Sequence, residues 1–234
     1  MNNVSLFIVY IKYVMYLYKK IIMAIYKSYR YIYPPRPKNA IPPSDLDFWD
    51  GGSLLAQPKF NGSNCVIFTN GEDSMIMNRH NQRLTNFRLT PDEIKDIYRG
   101  DGDWMVINGE YMNKNKKDET NKAFNHKLVI FDILTFGGEY LVGQTFSQRV
   151  ELLDDIYGKV ECEKDYVYKI SDNVYRVKSY DNGFTNLFET LTPIDMIEGL
   201  VMKRKNAKLE IGTNELNNIK SQIKCRKVTK LYRF

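Results

Sequence analysis

The sequence predicts an α+β fold in which sheets outnumber helices. Three observations predict it. From about Leu54 short apolar runs alternate with polar turns, the turn residues are of hairpin type, and only three stretches carry helix signals. A chain of 234 residues is long enough to bury a substantial core in one domain with an extension.

In chain order, residues 4–18 form an apolar run interrupted by Lys12 and followed by Lys19 and Lys20. The run is short for a spanning helix, which needs about 20 apolar residues. With no basic n-region and no small-residue cleavage site, it fits a signal peptide poorly. A packed N-terminal helix, or a leader ahead of a start at Met23, ranks above a membrane anchor, and no stable membrane association is expected. Residues 1–33 form this extension. Residues 34–53 are a Pro-rich extended connector, with Pro34, Pro35, Pro37, Pro42 and Pro43, and 54–234 are the main domain.

Leu54–Gln57, Asn64–Thr69 and Ser74–Asn78 are predicted as strands of an antiparallel meander, with Asn70-Gly71 as a hairpin turn. Thr90-Pro91-Asp92-Glu93 is a helix start, and Gly100 is expected to close that helix. Trp104–Tyr111 and Lys127–Leu134 are strands, the second apolar enough to be buried on both faces. Ser147–Tyr157 is a helix stopped by Gly158. Phe184, Leu187, Phe188 and Leu191 have the spacing of an amphipathic helix, and Leu200–Lys203 and Ile219–Val228 are late strands.

Composition narrows the chemistry. The net charge of +6 tilts towards a polyanionic partner. Cys65, Cys162 and Cys225 are widely spaced and form no CxxC pair, which argues against zinc and disulfides and for a reducing compartment. His80 and His126 are too few for a His-rich metal site, so carboxylates and lysines must carry any chemistry.

Five segments put charge beside apolar strands. Gln57-Pro58-Lys59-Phe60-Asn61-Gly62-Ser63-Asn64 places a lysine between two strands with a glycine three positions on, where backbone can approach a ligand closely. Such a lysine becomes a nucleophile when desolvation and neighbouring cations lower its pKa; otherwise it is a surface residue in a turn. Val106–Tyr111 carries Glu110 near its end, and Val129–Leu134 carries Phe131 and Asp132. Glu198–Lys203 opens on a carboxylate and closes on a lysine. In Ile223–Lys227, Lys224 and Arg226 share one strand face, an arrangement suited to a phosphate or to a solvated basic edge.

Together and in this order, the five segments resemble the motif series of covalent nucleotidyltransferases: ATP-dependent DNA ligases, RNA ligases and mRNA capping enzymes. The resemblance covers roughly Gln57 to Lys227. It implies an ATP-grasp-like adenylation domain, two antiparallel sheets with flanking helices around an ATP cleft, in a minimal form of viral or phage type. By that resemblance Lys59 is the nucleophile that forms lysyl-AMP. Gln57 contacts adenine, Phe131 stacks on it, and Glu110 binds the ribose. Asn64, Arg79 and Lys203 also face the nucleotide. Glu198 holds Mg²⁺ (or Mn²⁺), and Lys224 and Arg226 act at the α-phosphate, which is expected to depress the Lys59 pKa.

Two positions depart from the pattern: Asn61 stands where DNA ligases usually have Asp, and Arg226 where a second lysine is usual. The short run from Lys227 to Phe234 leaves no room for the OB domain that follows this core in DNA ligases and capping enzymes. The chain is then a minimal form, a truncated one, or one that borrows a clamping partner, and weak or distributive nick sealing is expected. The implied activity joins 5′-phosphate and 3′-hydroxyl ends of a nicked or broken polynucleotide, DNA or RNA, in the cytoplasm (the host's, for a viral protein). The alternatives are a non-catalytic nucleic-acid-binding module that keeps the fold, and a capping guanylyltransferase.

Overall fold

The β-branched and aromatic runs pair into eleven strands among the described residues, arranged as two sheets. The computed structural model describes residues 10–14, 17, 30–100, 103–212 and 221–229. The chain divides into two units, Met1–Tyr31 and Ile32–Phe234. In the first, residues 10–14 are helical and exposed; most of the apolar run, Lys19, Lys20 and Met23 lie outside the described residues. No helix among the described residues is long and apolar enough to cross a membrane.

In the second unit, one sheet has the order β1 (Asn39–Ile41), β11 (Gln222–Arg226), β10 (Ile197–Arg204), β2 (Leu54–Phe60). The other runs β4 (Ser74–Asn78), β3 (Ser63–Thr69), β5 (Met105–Met112), β6 (Lys127–Phe136), β9 (Val174–Val177), β8 (Val167–Lys169), with β7 (Glu139–Tyr140) paired to β6. Most pairs are antiparallel, and each sheet contains one parallel pair, β1–β11 and β6–β9. The α+β class with two sheets and few helices is the one the sequence predicts.

The core follows from the pattern of each strand. β3, β5 and β6 are almost continuously apolar, and most of their side chains are buried. Helix α3 (Phe146–Tyr157) packs on β6, and α4 (Phe184–Leu191) packs on β10 and on the short helix α1 (Leu46–Trp49). Phe184, Phe188 and Leu191 are the buried stripe of α4, joining Leu54, Ala56, Leu200 and Met202 from the first sheet and Val129 and Val177 from the second. Each such side chain contributes about 1.5–3 kcal/mol by leaving water.

Element boundaries shift for physical reasons. Thr90 caps α2 (Pro91–Ile97) as predicted: its side chain accepts from the Glu93 N–H, and the Glu93 carboxylate accepts from the Thr90 N–H at 2.6 Å. The helix nevertheless ends before Tyr98, which is already extended, not at Gly100. Helix α3 starts one residue earlier than Ser147 because Thr145 and Gln148 form a second capping box. The Asn70-Gly71 hairpin is present as a four-residue connection, in which Asn70 Oδ1 accepts the backbone N–H groups of Glu72 and Asp73. Ile219 lies outside the described residues, and the late strand there spans Gln222–Arg226.

Candidate active site

Three neighbouring strands of the first sheet build one wall of a cleft of about 700 Å³. Pairing fixes their rows: Gln57 lies opposite Val201 and Val201 opposite Lys224, while Lys59 lies opposite Gly199 and Gly199 opposite Arg226. Because strand side chains alternate, Gln57 and Lys59 share a face, as do Lys224 and Arg226. All four line the cleft. Lys59 therefore stands inside β2, near its end, and not between two strands as the sequence suggested.

Glu198 would fall on the opposite face from Val201 in a regular strand. A bulge between Ile197 and Gly199 changes that parity and brings its carboxylate into the cleft. The bulge needs a glycine. Gly199 has φ +150°, and a Cβ there would lie 1.9 Å from the Cys225 carbonyl oxygen. As a result Glu198 Oε2 accepts from Lys59 Nζ at 2.9 Å and pairs with Arg226 Nε at 3.0 Å.

The second sheet forms the opposite wall. On β5 and β6, Asn108 pairs with Asp132 and Gly109 with Ile130, which leaves Phe131 as the extra residue of a second bulge. Its ring lines the cleft. Glu110 sits across from Asn64, and its Oε1 accepts the Gly62 N–H at 3.0 Å. Gly62 allows that approach, since a Cβ would come within 2.4 Å of the Tyr111 carbonyl oxygen. Asn108 Nδ2 holds Asn64 Oδ1 at 3.3 Å and the Cys65 carbonyl at 2.8 Å.

The remaining predicted residues are also at the cleft. Arg79 lines it, with Nε donating to His80 Nε2 at 3.1 Å. Lys203 is deeper than the sequence suggests: it is buried, with its ammonium 4.7 Å from the Phe131 ring centre and 4.6 Å from that of Phe146. Burial pushes its pKa down to about 8, against the pull of Asp132. Lys203 thus props the Phe131 ring from below. Lys224 is lowered by burial and then by Lys59, Arg226 and Arg79, as expected of clustered cations awaiting an anion.

Sequence reading missed several lining residues. Pro34–Lys38 carry the signal of a linker, yet they border the cleft, and β1 just beyond them pairs with β11. Val201 lies between Gln57 and Lys224 and was hidden inside an apolar run. Asp132 and Arg149 form a buried bidentate pair, Nε to Oδ1 at 2.8 Å and NH2 to Oδ2 at 3.0 Å. A charged residue inside Val129–Leu134 was the available signal.

Glu110 gives the site a pH dependence. Burial pushes it up to about 7, opposed by Lys59 and the Gly62 N–H. The folded protein then keeps a proton that the unfolded chain has lost. This raised carboxyl costs nothing below the ordinary carboxylate range, and stability falls as pH rises towards 7. Glu110→Gln is expected to gain stability relative to the parent between about pH 5 and about pH 8. Urea midpoints that differ equally at both pH values would contradict this.

Gln57 donates through Nε2 to Ser179 Oγ at 2.9 Å, but its buried Oε1 has no partner among the described residues, an acceptor suited to an amino group such as that of adenine. The cations on β2 and β11 suit a polyphosphate. Among the described residues no cluster of three His, Cys, Asp or Glu could hold a metal alone, so Glu198 would do so only together with phosphate oxygens.

Two facing sheets around a lysine-bearing cleft define the class: this is an adenylation domain of the ligase type. Residues 43–221 match the sequence model of the ATP dependent DNA ligase domain, and the chain belongs to that family. Solved structures share the fold. Mycobacterial DNA ligase D complexed with ATP and MES matches at 13% identity and TM-score 0.53, over 76% of this chain and 56% of that one. The ligase domain of M. tuberculosis LigD matches at 13% identity and TM-score 0.54, over 75% and 54%. Pmar-Lig_PreS3 matches at 16% identity and TM-score 0.56, over 89% and 50%. The chain thus spans about half the length of these structures. No curated protein matches the sequence.

Proposed function

We propose that the protein is an ATP-dependent polynucleotide ligase acting through a lysyl-AMP intermediate at Lys59. The observation that carries this reading is the convergence of Lys59, Glu198, Lys224 and Arg226 from three adjacent strands on one cleft wall. A protein that only bound nucleic acid would not need a carboxylate turned inward by a glycine bulge to meet a lysine.

Lys59 Nζ gives up a proton and bonds to the α-phosphorus of ATP; the α–β anhydride bond breaks and pyrophosphate leaves. The Glu198 carboxylate, 2.9 Å from Nζ, aims the amine into the cleft and lies within proton-transfer distance of it. Lys224 and Arg226 stabilise charge as it develops on the transferred phosphoryl group. Gln57 and Phe131 position the base, and Glu110 and Asn64 the sugar edge. The AMP group passes next to a polynucleotide 5′-phosphate, and attack by a 3′-hydroxyl then forms the phosphodiester and releases AMP. Mg²⁺ held by Glu198 would neutralise phosphate charge at the same place.

Incubation with α-labelled ATP and Mg²⁺, followed by a denaturing gel, tests the first step. Label on the protein that is stable to base and lost in acid is expected, as for a phosphoramidate, and γ-labelled ATP should leave none. Absence of α-label with nucleotide binding intact would favour the binding-module reading. Label from GTP in place of ATP would indicate capping chemistry.

A further inference from the structure

Asn61 follows Lys59 by two residues and meets the Lys114 side chain there, and neither Asn61 nor Lys114 is part of the lining of the nucleotide cleft. Lys114 Nζ donates to Asn61 Oδ1 at 3.0 Å, and among the described residues Lys114 makes no ion pair. Its neighbour Lys116, by contrast, is neutralised by Asp195 at 2.8 Å. Lys114 is therefore an exposed ammonium whose hydrogen-bond partner is a neutral amide, close enough to Glu110 to act on its charge.

The position is not a loose surface loop. On one side Asn113 Nδ2 donates to Ser63 Oγ at 2.7 Å. On the other, Lys117 N donates to Asp195 Oδ2 at 3.2 Å, and Met196 N to the Lys117 carbonyl at 3.1 Å. Further along, buried Lys164 ties down Asp118 and Glu119, each at 2.8 Å. Asn61 is fixed through its backbone N–H to the Met196 carbonyl at 2.9 Å. Since Oδ1 faces the lysine, the amide N–H groups of Asn61 are left to donate, and no described group accepts from them.

A carboxylate at position 61 would have cancelled the Lys114 charge. With asparagine, one fixed ammonium and one amide donor stand together next to the nucleophile, an arrangement complementary to a terminal phosphate. We propose that Lys114 and Asn61 form the binding site for the 5′-phosphate of the acceptor strand. This rests on the ligase reading for its place in the reaction, while the anion site itself is testable without it. A phosphate held there lies next to the lysine that would carry AMP, ready to attack.

The test is fluorescence anisotropy with nicked duplexes that differ only in bearing a 5′-phosphate or a 5′-hydroxyl at the nick. Both a DNA and an RNA acceptor strand are used, because the phosphate is common to them. The parent should prefer the phosphorylated nick. Lys114→Ala and Asn61→Asp should each lower that preference about tenfold, with little change for the hydroxyl nick. The salt slope for the phosphorylated nick should fall by about 1 in Lys114→Ala. Lys116→Ala, which removes an already paired charge on the same loop, should leave the preference intact. A parent without preference overturns the proposal. So does a Lys114→Ala protein that keeps it, or that weakens both duplexes equally. Lysyl-AMP labelling of the same samples separates the two readings. A labelled parent whose preference survives Lys114→Ala sinks this site alone. An unlabelled parent whose preference is lost in Lys114→Ala keeps the site and sinks the ligase reading.

Discussion

Lys59→Ala is expected to reduce covalent AMP labelling to background, because the phosphoramidate has no other amine to form on. Lys203 and Lys224 carry lowered pKa values, so each must be considered as a substitute nucleophile. Lys203 borders the cleft, but it is buried and its ammonium is held against the Phe131 and Phe146 rings. Lys224 stands on β11, two strands from β2, with Val201 of β10 between them. Lys59→Arg sharpens the test. It keeps a cation for Glu198, so the fold and the ion pair survive, but a guanidinium does not deprotonate and cannot attack. Both variants should melt close to the parent, because Glu198 keeps its Arg226 partner at 3.0 Å when Lys59 is replaced. Label retained in Lys59→Arg would remove Lys59 from the chemistry.

Arg149→Met should destabilise the protein by about 3–5 kcal/mol, because it strands the Asp132 carboxylate in the core. Both side chains are almost fully buried, at 3% and 1% exposure, and their bidentate contact satisfies both carboxylate oxygens. Arg149 also donates to the Gln144 carbonyl at 2.9 Å, which fixes the start of α3. The double variant Asp132→Leu/Arg149→Met should recover most of the loss, as apolar replacement of a buried pair usually does. Chemical denaturation measures both. A single variant within about 1 kcal/mol of the parent would mean that water reaches Asp132.

The longer strands and the Thr90 capping box were within reach of the sequence, because apolar runs and a Thr-x-x-Glu signature are local. The short strands β1, β7, β8 and β9 and the Thr145–Gln148 box were not read. The predicted meander fails because β2 pairs with β10 while β3 and β4 belong to the other sheet. The placement of Glu198 and Phe131 was not within reach either. Each reaches the cleft through a bulge, and a bulge is a mismatch between two strands that neither states alone. The resemblance named both residues but gave no reason why they should face the nucleotide. Lys203 shows the complementary error: alternation put it on the right face, but the depth of the Phe131–Phe146 pocket depends on α3. The linker signal of Pro34–Lys38 was equally incomplete, since proline excludes helix without excluding a place in a wall.

The parallel pairing of β1 with β11 has a consequence for how the protein is made. β1 comes early in the chain and its partner near the end, and Lys59 and Glu198 are themselves 139 positions apart. On the ribosome, the antiparallel strands β4, β3 and β5 can pair in that order while synthesis continues, because they are near in sequence. The wall that carries the cations must wait until β11 emerges. Long-range closure of this kind is slow. The nascent chain therefore passes through an interval with its hairpins folded and β2 exposed, when chaperone capture and strand-to-strand aggregation compete most strongly with completion of the cleft.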